Sequence, residues 1–158
     1  MIRILACGKV KENWMREGIQ EYMKRLKPYE KMEIVEAADE KTPDDNSEAE
    51  NRRIINKEGE RLLKLIRDDE YVILLDLKGK ELSSEKLAAK IQDIYSYTGS
   101  RIAFVIGGSL GVSDDLIRRA DFRWKLSDCT FPHQLCRVIV LEQIYRSFRI
   151  LRNEPYHK

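Results

Sequence analysis

Apolar residues in this chain occur in two kinds of run, continuous and helically spaced. The continuous runs predict five strands, at residues 2–7, 32–37, 71–76, 102–106 and 122–127. Helical spacing predicts helices at 11–26, 47–66 and 84–99, a short helix after Ser113 and a long one from Gln134. Strands that alternate with helices are typical of an α/β fold with a mostly parallel sheet flanked by helices. The pattern predicts one such domain over residues 1–158.

Turn and cap residues support these boundaries. Ser47 and Glu50 have the spacing of a capping box at a helix start, and Gly99 follows a helix where a left-handed residue is favoured. Residues 76–80 follow the third strand directly and contain Gly79. This segment is predicted to be the turn that leads to the next helix.

Composition excludes several classes of protein. Of the 158 residues, 42% are hydrophobic and 35% are charged, and no apolar run is long enough for a membrane span. The first residues lack the pattern of a secretory signal peptide. Cys7, Cys129 and Cys136 are odd in number and form no C-x-x-C pair, which favours a reducing cytoplasm over a disulfide framework or zinc site. With two histidines in the chain, we expect no metal centre.

Charge is distributed unevenly along the chain. The net charge is +2, but the segment from Arg118 onward holds nine Lys or Arg and four Asp or Glu. A basic C-terminal quarter indicates a local anionic partner such as nucleic acid or phosphate. On charge alone, a solvated helix surface explains the cluster as well.

Three predicted strands end in unusual sequences, and parallel α/β sheets bind ligands at such ends. These ends are Leu75-Asp76, Gly107-Gly108 and the segment 126–131. The glycine segment 107–111 matches neither the dinucleotide fingerprint nor a P-loop, so neither ligand is favoured. Glycines at this position indicate either close approach of a ligand or a tight turn.

The segment 126–141 combines a polar turn with a strongly apolar helix start. His133 lies where they join, so a catalytic base, an RNA contact and an ordinary helix-start residue all remain open. Cys129 and Cys136 are predicted to be packing residues, because no base is placed beside them. The run 138–141 is apolar on nearly every side, so it must be buried in the core or against a partner.

Several separated motifs resemble one known family from end to end. They are Gly8-Lys9, KEGER at 57–61, FVIGGS at 104–109, Leu126-Ser127 with TFPHQ at 130–134, EQIYR at 142–146 and PYH at 155–157. In this order and at this length they resemble the RlmH family of bacterial SPOUT methyltransferases, which methylate N3 of a pseudouridine in large-subunit ribosomal RNA.

The resemblance implies a fold, a cofactor and partners. The fold is an α/β domain with a deep C-terminal trefoil knot, and the cofactor is S-adenosylmethionine. The protein is expected to be a cytoplasmic homodimer that acts on 23S rRNA in the ribosome, without membrane or metal, and segment 138–141 becomes a predicted dimer contact. The implied cofactor contacts are Leu75, Gly107, Gly108, Leu126, Ser127, Asp128, Cys129, Thr130 and Phe131.

The same resemblance implies roles for C-terminal residues. Arg137, or an arginine of the partner subunit, would stabilise the deprotonated imide, and His133 or His157 would take the proton. RNA would be bound by Arg146 and Arg149 through phosphates and by Tyr156 through stacking. The tail at 155–158 is predicted to dock near the active cleft. Asn153, where the family commonly has glycine, is expected to keep a left-handed turn.

Two other functions are compatible with parts of the pattern. A protein of this fold that binds RNA or the ribosome without turnover differs from an enzyme in lacking saturable binding of the cofactor. A small nucleotide-dependent hydrolase is less compatible, since the chain shows no phosphate loop and no nucleophile elbow.

Overall fold

The computed structural model describes residues 1–158 and has a five-stranded, wholly parallel sheet. Its strands are β1 (Ile2–Cys7), β2 (Met32–Ala37), β3 (Tyr71–Glu81), β4 (Ile102–Ile106) and β5 (Phe122–Lys125), in the spatial order β2-β1-β4-β3-β5. Its helices are α1 (Asn13–Leu26), α2 (Glu48–Leu65), α3 (Ser84–Asp93), which continues as a π-helical turn (Ile94–Thr98), α4 (Asp114–Arg119) and α5 (His133–Leu151). The predicted α/β architecture is confirmed. The trefoil knot stays a prediction from the resemblance.

Helices cover both faces of the sheet. Ile2, Ile4 and Ala6 of β1 join a larger core covered by α1, α3 and α5, while Leu5 and Cys7 join a smaller core under α2 and α4. This alternation follows from the strand geometry, in which successive side chains point to opposite faces. Strands covered on both faces have to be apolar throughout, which explains the continuous runs in the sequence. None of the helices is long and apolar enough to cross a membrane.

The connection after β4 opens a crevice at one edge of the sheet. β4 leads into α4 beside the smaller core, whereas its neighbours β1 and β3 lead into α1 and α3 on the other face. Where neighbouring strands send their helices to opposite faces, the space beyond their carboxyl ends stays open. This topology places a ligand site at the end of β4.

The predicted turn at residues 76–80 is wrong, because β3 continues to Glu81. After an irregularity between Leu75 and Lys80, β3 pairs again with β5. Gly79 permits this close approach, since a Cβ atom there would lie 2.4 Å from the carbonyl oxygen of Arg123. Pairing with a later strand decides this segment, and local turn propensity does not reveal such pairing.

Helix α5 starts at His133, one residue before the predicted start, and packs along the larger core. Val140 and Leu141 are completely buried within this chain. Val138 lies against α1, where its Cγ1 atom would be 3.5 Å from a Cβ atom added at Gly18. The prediction that the whole run 138–141 forms a dimer contact is therefore wrong for Val140 and Leu141, which the chain's own core occupies.

Arg137 ties α5 to the carboxyl end of β1. Its side chain is completely buried, and its Nη2 atom donates to the carbonyl oxygens of Cys7 and Gly8, both at 2.8 Å. Its Nη1 atom donates to Oε2 of Glu36 on β2 at 2.8 Å. A buried cation is tolerated only with partners of this kind. The first turn of α5 is thereby fixed to the edge of the sheet.

Replacing Gly79 tests the close approach of β3 to β5. We expect Gly79→Ala to lower the free energy of unfolding by about 1–3 kcal/mol, because backbone on a paired strand has to move. In Gly18→Ala the new methyl meets Val138 at an ordinary distance, and helix propensity favours alanine by up to about 1 kcal/mol. Urea unfolding of both variants measures the difference, and equal stabilities would contradict the packing described.

Replacing Arg137 tests its anchoring role. We expect Arg137→Met to destabilise the fold by about 3–5 kcal/mol. The variant leaves the buried carbonyl groups of Cys7 and Gly8 without a hydrogen-bond donor and removes the ion-pair partner of Glu36. The matched control is Arg118→Met, whose pair with Asp115 is exposed on both sides, so its loss costs less than about 1 kcal/mol. Denaturant unfolding of both variants gives the comparison. A loss no larger than that of the control would contradict the anchor.

Candidate active site

A cavity of about 1020 Å³ lies at the carboxyl edge of the sheet. Its walls come from the ends of β4 and β5, the middle of β3, the amino-terminal half of α2 and the start of α5. Eight of the nine predicted cofactor residues line it: Leu75, Gly107, Gly108, Leu126, Ser127, Cys129, Thr130 and Phe131. The structure thus brings together residues that are far apart in sequence.

Asp128 is the predicted cofactor residue that does not line the cavity. Its side chain is 86% exposed and forms an ion pair with Lys125. The prediction of a cofactor contact is therefore not supported for its side chain. Its neighbours Ser127 and Cys129 line the cavity, so the side chain of Asp128 points away from the cavity on a loop that otherwise faces it.

The loop 126–131 offers unpaired backbone groups to the cavity. Cys129 donates its amide to the Ser127 hydroxyl at 3.0 Å, and no other amide of this loop has a partner within the protein. Backbone groups normally find partners, so free amides along a cavity wall are available to a ligand. Leu126 and Phe131 add apolar surface beside them. Apolar walls with a few polar groups are typical of small-molecule sites.

The glycines of segment 107–111 have separate structural reasons. Gly111 has a φ of +112°, which L side chains rarely adopt. A Cβ atom at Gly107 would lie 2.9 Å from the carbonyl oxygen of Gly111, and one at Gly108 would lie 2.6 Å from Oε1 of Glu58. The protein's own atoms thus explain the glycines, as the tight-turn interpretation proposed.

Acidic groups lie beneath this turn. Glu58 is buried on the inner side of α2 and accepts a hydrogen bond from the amide of Glu40 at 3.0 Å. Burial, followed by the nearby Glu58 carboxylate, raises the pKa of the Cys7 thiol to about 12. Burial also raises the pKa of Cys136. These thiols are protonated at neutral pH, which agrees with the prediction of a packing role for Cys136. The same prediction is wrong for Cys129, which is exposed on the loop.

His133 occupies the junction between the loop and α5 and lines the cavity. Its Nδ1 atom is buried and has no hydrogen-bond partner. Burial lowers the pKa of His133, and the positive charge of Arg137 lowers it further, against the opposing charges of Asp39 and Glu58. The imidazole is therefore neutral at neutral pH and can accept a proton.

Arg137 and His157 do not reach the cavity of their own chain. The guanidinium of Arg137 lies behind it, so the predicted direct contact with a substrate anion is not supported. The Nδ1 atom of His157 accepts a hydrogen bond from Arg146 at 3.2 Å, and its Nε2 atom donates one to Glu85 at 2.7 Å. Of the three predicted catalytic side chains, the structure places His133 alone in the cavity.

The predicted RNA-binding residues instead hold the C-terminal tail. Arg146 donates to Glu142 at 2.9 Å, and Arg149 donates to the carbonyl oxygen of Pro155 at 2.8 Å. Tyr156 donates to Glu142 at 3.0 Å. These contacts fold the tail back along α5, outside the cavity, so the predicted docking of the tail beside the cleft is not seen within one chain. Asn153 makes the turn with a φ of +53°, which confirms the expectation of a left-handed residue.

Several cavity residues were not found from the sequence. Asn51, Arg52 and Ile55 belong to α2, whose capping box predicted a helix but gave no signal of which surface it lines. Trp124 lines the cavity from β5, and its buried indole nitrogen has no partner. An unpaired buried donor marks a position where a ligand acceptor fits.

Comparison with known proteins agrees with this arrangement. The family described as "Predicted SPOUT methyltransferase" matches residues 1–157. Proteins named "Ribosomal RNA large subunit methyltransferase H" from Alkaliphilus oremlandii, Carboxydothermus hydrogenoformans and Clostridium perfringens are 55%, 51% and 52% identical over 157 residues, covering 99% of both chains.

Two solved structures share the fold at low sequence identity. A Legionella pneumophila methyltransferase in complex with the cofactor SAM has a TM-score of 0.50 and 11% identity. A methylase family protein from Haemophilus influenzae has a TM-score of 0.51 and 14% identity. They cover 95% and 96% of this chain, and this chain spans 66% of each of them. With the family match over 157 residues and the full-length relatives, the chain belongs to the SPOUT methyltransferase family, as its resemblance to the RlmH group predicted.

Proposed function

We propose that this protein uses S-adenosylmethionine to methylate N3 of a pseudouridine in bacterial large-subunit (23S) ribosomal RNA. The observation that carries the proposal is a cavity whose loop offers unpaired amides and whose edge holds a neutral histidine. The relatives named for methylation of large-subunit rRNA share more than half of their residues with this chain over its full length. The target atom follows from the RlmH resemblance.

The cavity residues fit the chemistry of this cofactor. Free amides of the loop 126–131 suit the adenine nitrogens and the ribose, and Leu75, Leu126 and Phe131 suit the flat faces of the base. The cofactor, when bound, supplies a methyl group on an electrophilic sulfonium. The protein then has to hold donor and acceptor in line, which is worth up to about 7–11 kcal/mol of the barrier.

His133 is the proposed acceptor of the imide proton. It lines the cavity, and it is neutral at neutral pH. Arg137 acts from behind by keeping the imidazole neutral and its helix in place. His157 remains a rival, and it would have to reach the site from a second subunit, because its own chain holds it against Glu85 and Arg146.

The proposal includes the assembly and the setting of the reaction. We infer a homodimer in the bacterial cytoplasm that recognises its nucleotide within the large subunit. We infer that surfaces near the cavity, or a second subunit, bind the RNA. The part of α5 left for a dimer contact is its partly exposed side, including Val138 and Ile139.

Transfer of labelled methyl groups tests the proposed reaction. Incubation with labelled S-adenosylmethionine is expected to label 23S rRNA in intact ribosomes or large subunits, and to leave small subunits unlabelled. Equilibrium dialysis is expected to show saturable binding of the cofactor, which the binding-protein alternative lacks. Saturable binding without labelling of ribosomes, subunits or naked rRNA would reject the rRNA substrate, and the absence of binding would reject the enzyme.

The pH dependence of methyl transfer tests His133. Its pKa lies below 6.5, so the neutral form should persist down to that pH, and the rate should fall as acid protonates it. In His133→Gln we expect a rate lower by about 10²–10⁴-fold and loss of this acid limb, measured in single turnovers with saturating cofactor. His157→Gln is the control. If His157→Gln loses the acid limb of the pH–rate profile and His133→Gln keeps it, His157 of the tail is the proton acceptor.

A further inference from the structure

The outward side of α2 carries cations that the fold does not use. Arg52, Arg53, Asn56 and Lys57 line a shallow depression of about 450 Å³, which Ala49 and Glu60 complete. All of these side chains are exposed. The basic C-terminal helix, in contrast, uses Arg146 and Arg149 to hold the tail. The cations that line the depression on α2 are not engaged by the tail.

The nearest carboxylates bind these cations weakly. Arg52 lies 3.7 Å from Asp114, with 67% and 72% of the two side chains exposed. Lys57 lies 3.7 Å from Glu40, and half of the lysine side chain is exposed. Exposed pairs of this kind contribute at most about 1 kcal/mol, so an incoming phosphate can replace the carboxylates. Arg61 on the same helix differs, since it donates to Glu40 at 2.7 Å and to Ala38 at 2.9 Å.

The depression continues into the cofactor cavity. Arg52 lines both of them, so a strand lying on α2 leads directly to the reaction site. The inner side of the helix is fixed against the cavity wall, because Cβ atoms added at Gly59 and Gly108 would lie 2.2 Å from Ser113 and 2.6 Å from Glu58. The helix backbone that carries the outward cations is thereby fixed relative to the cavity.

We propose that the outward side of α2 binds the sugar–phosphate backbone of the RNA strand that carries the target nucleotide. Arg53 and Lys57 are one helical turn apart, about 6 Å, and would contact successive phosphates. Arg52 marks the point where the strand enters the cavity, and Asn56 adds uncharged hydrogen-bonding groups between the cations. This inference rests on the proposed rRNA substrate and adds a surface for it outside the C-terminal helix.

A pair of charge-matched variants tests the surface. The double variant Arg53→Gln, Lys57→Gln removes two cations that do not line the cofactor cavity. The control, Lys24→Gln with Lys27→Gln, removes two exposed cations at the end of α1, near the opposite edge of the sheet. Each variant is compared with the unaltered protein for binding of a 23S rRNA transcript and of large subunits over a range of salt concentrations, for cofactor affinity, and for KM and kcat.

The proposal predicts a specific loss in the α2 variant. Its Kd for the transcript and its KM for large subunits should rise on the order of ten-fold, while cofactor affinity stays constant. The slope of log Kd against log salt should become smaller by about 1 for each lost phosphate contact. The control should retain the binding and salt dependence of the unaltered protein.

Other outcomes would contradict the proposal that α2 binds RNA. Equal losses in both variants would show a general charge effect, and no loss in either would show that α2 does not bind RNA. Weaker binding to subunits with unchanged binding to the transcript would indicate a ribosomal protein as the partner. If the unaltered protein methylates no RNA, the proposed function fails, while the binding series, which needs no turnover, still decides whether α2 contacts RNA.

Discussion

The buried guanidinium of Arg137 is the interaction on which the site depends. A cation without solvent has to be surrounded by acceptors, and here these are Glu36 and the last carbonyls of β1. The need for those partners fixes the first turn of α5 at the carboxyl edge of the sheet. His133, one turn earlier, is consequently held at the cavity, and the same positive charge helps to keep its imidazole neutral.

Two backbone segments form the site around Arg137: a tightly packed glycine turn after β4 and a loop at 126–131 whose amides are mostly unpaired. The glycine turn after β4 is packed against Glu58 and against its own carbonyls, so it leaves no freedom for side chains. The loop 126–131 makes almost no backbone hydrogen bonds with the protein. A rigid wall preserves the shape of the cavity, whereas the unpaired loop supplies the polar groups that a ligand has to satisfy. If the proposed cofactor is bound through the backbone, a side chain such as that of Asp128 is free to point away from the cavity.

Apolar periodicity was sufficient to predict the order of the strands and helices along the chain, because a sheet covered on both faces leaves continuous apolar runs. It was not sufficient for residues 76–80, since the pairing of β3 with β5 involves residues more than 40 positions apart. The loop 126–131 was singled out through motifs of the resembled family, and it lines the cavity apart from Asp128. The part of the cavity formed by α2 was missed, because an exposed arginine has the same sequence signal whether it faces solvent or a ligand.

The arginines show why local charge is a poor guide to a binding surface. The C-terminal quarter has the larger surplus of positive charge along the sequence, but its Arg146 and Arg149 are closely paired with Glu142 and Glu154 of the same segment. Each carboxylate placed against a cation lowers the potential that a phosphate would meet. On α2 the cations are fewer, but Arg52 and Lys57 each lie 3.7 Å from their carboxylates, and the side chains of Arg52 and Asp114 are largely exposed. Availability of charge therefore depends on how closely each cation is paired in the folded chain, and the proposed RNA surface on α2 follows from cations with longer ion pairs than those of Arg146 and Arg149.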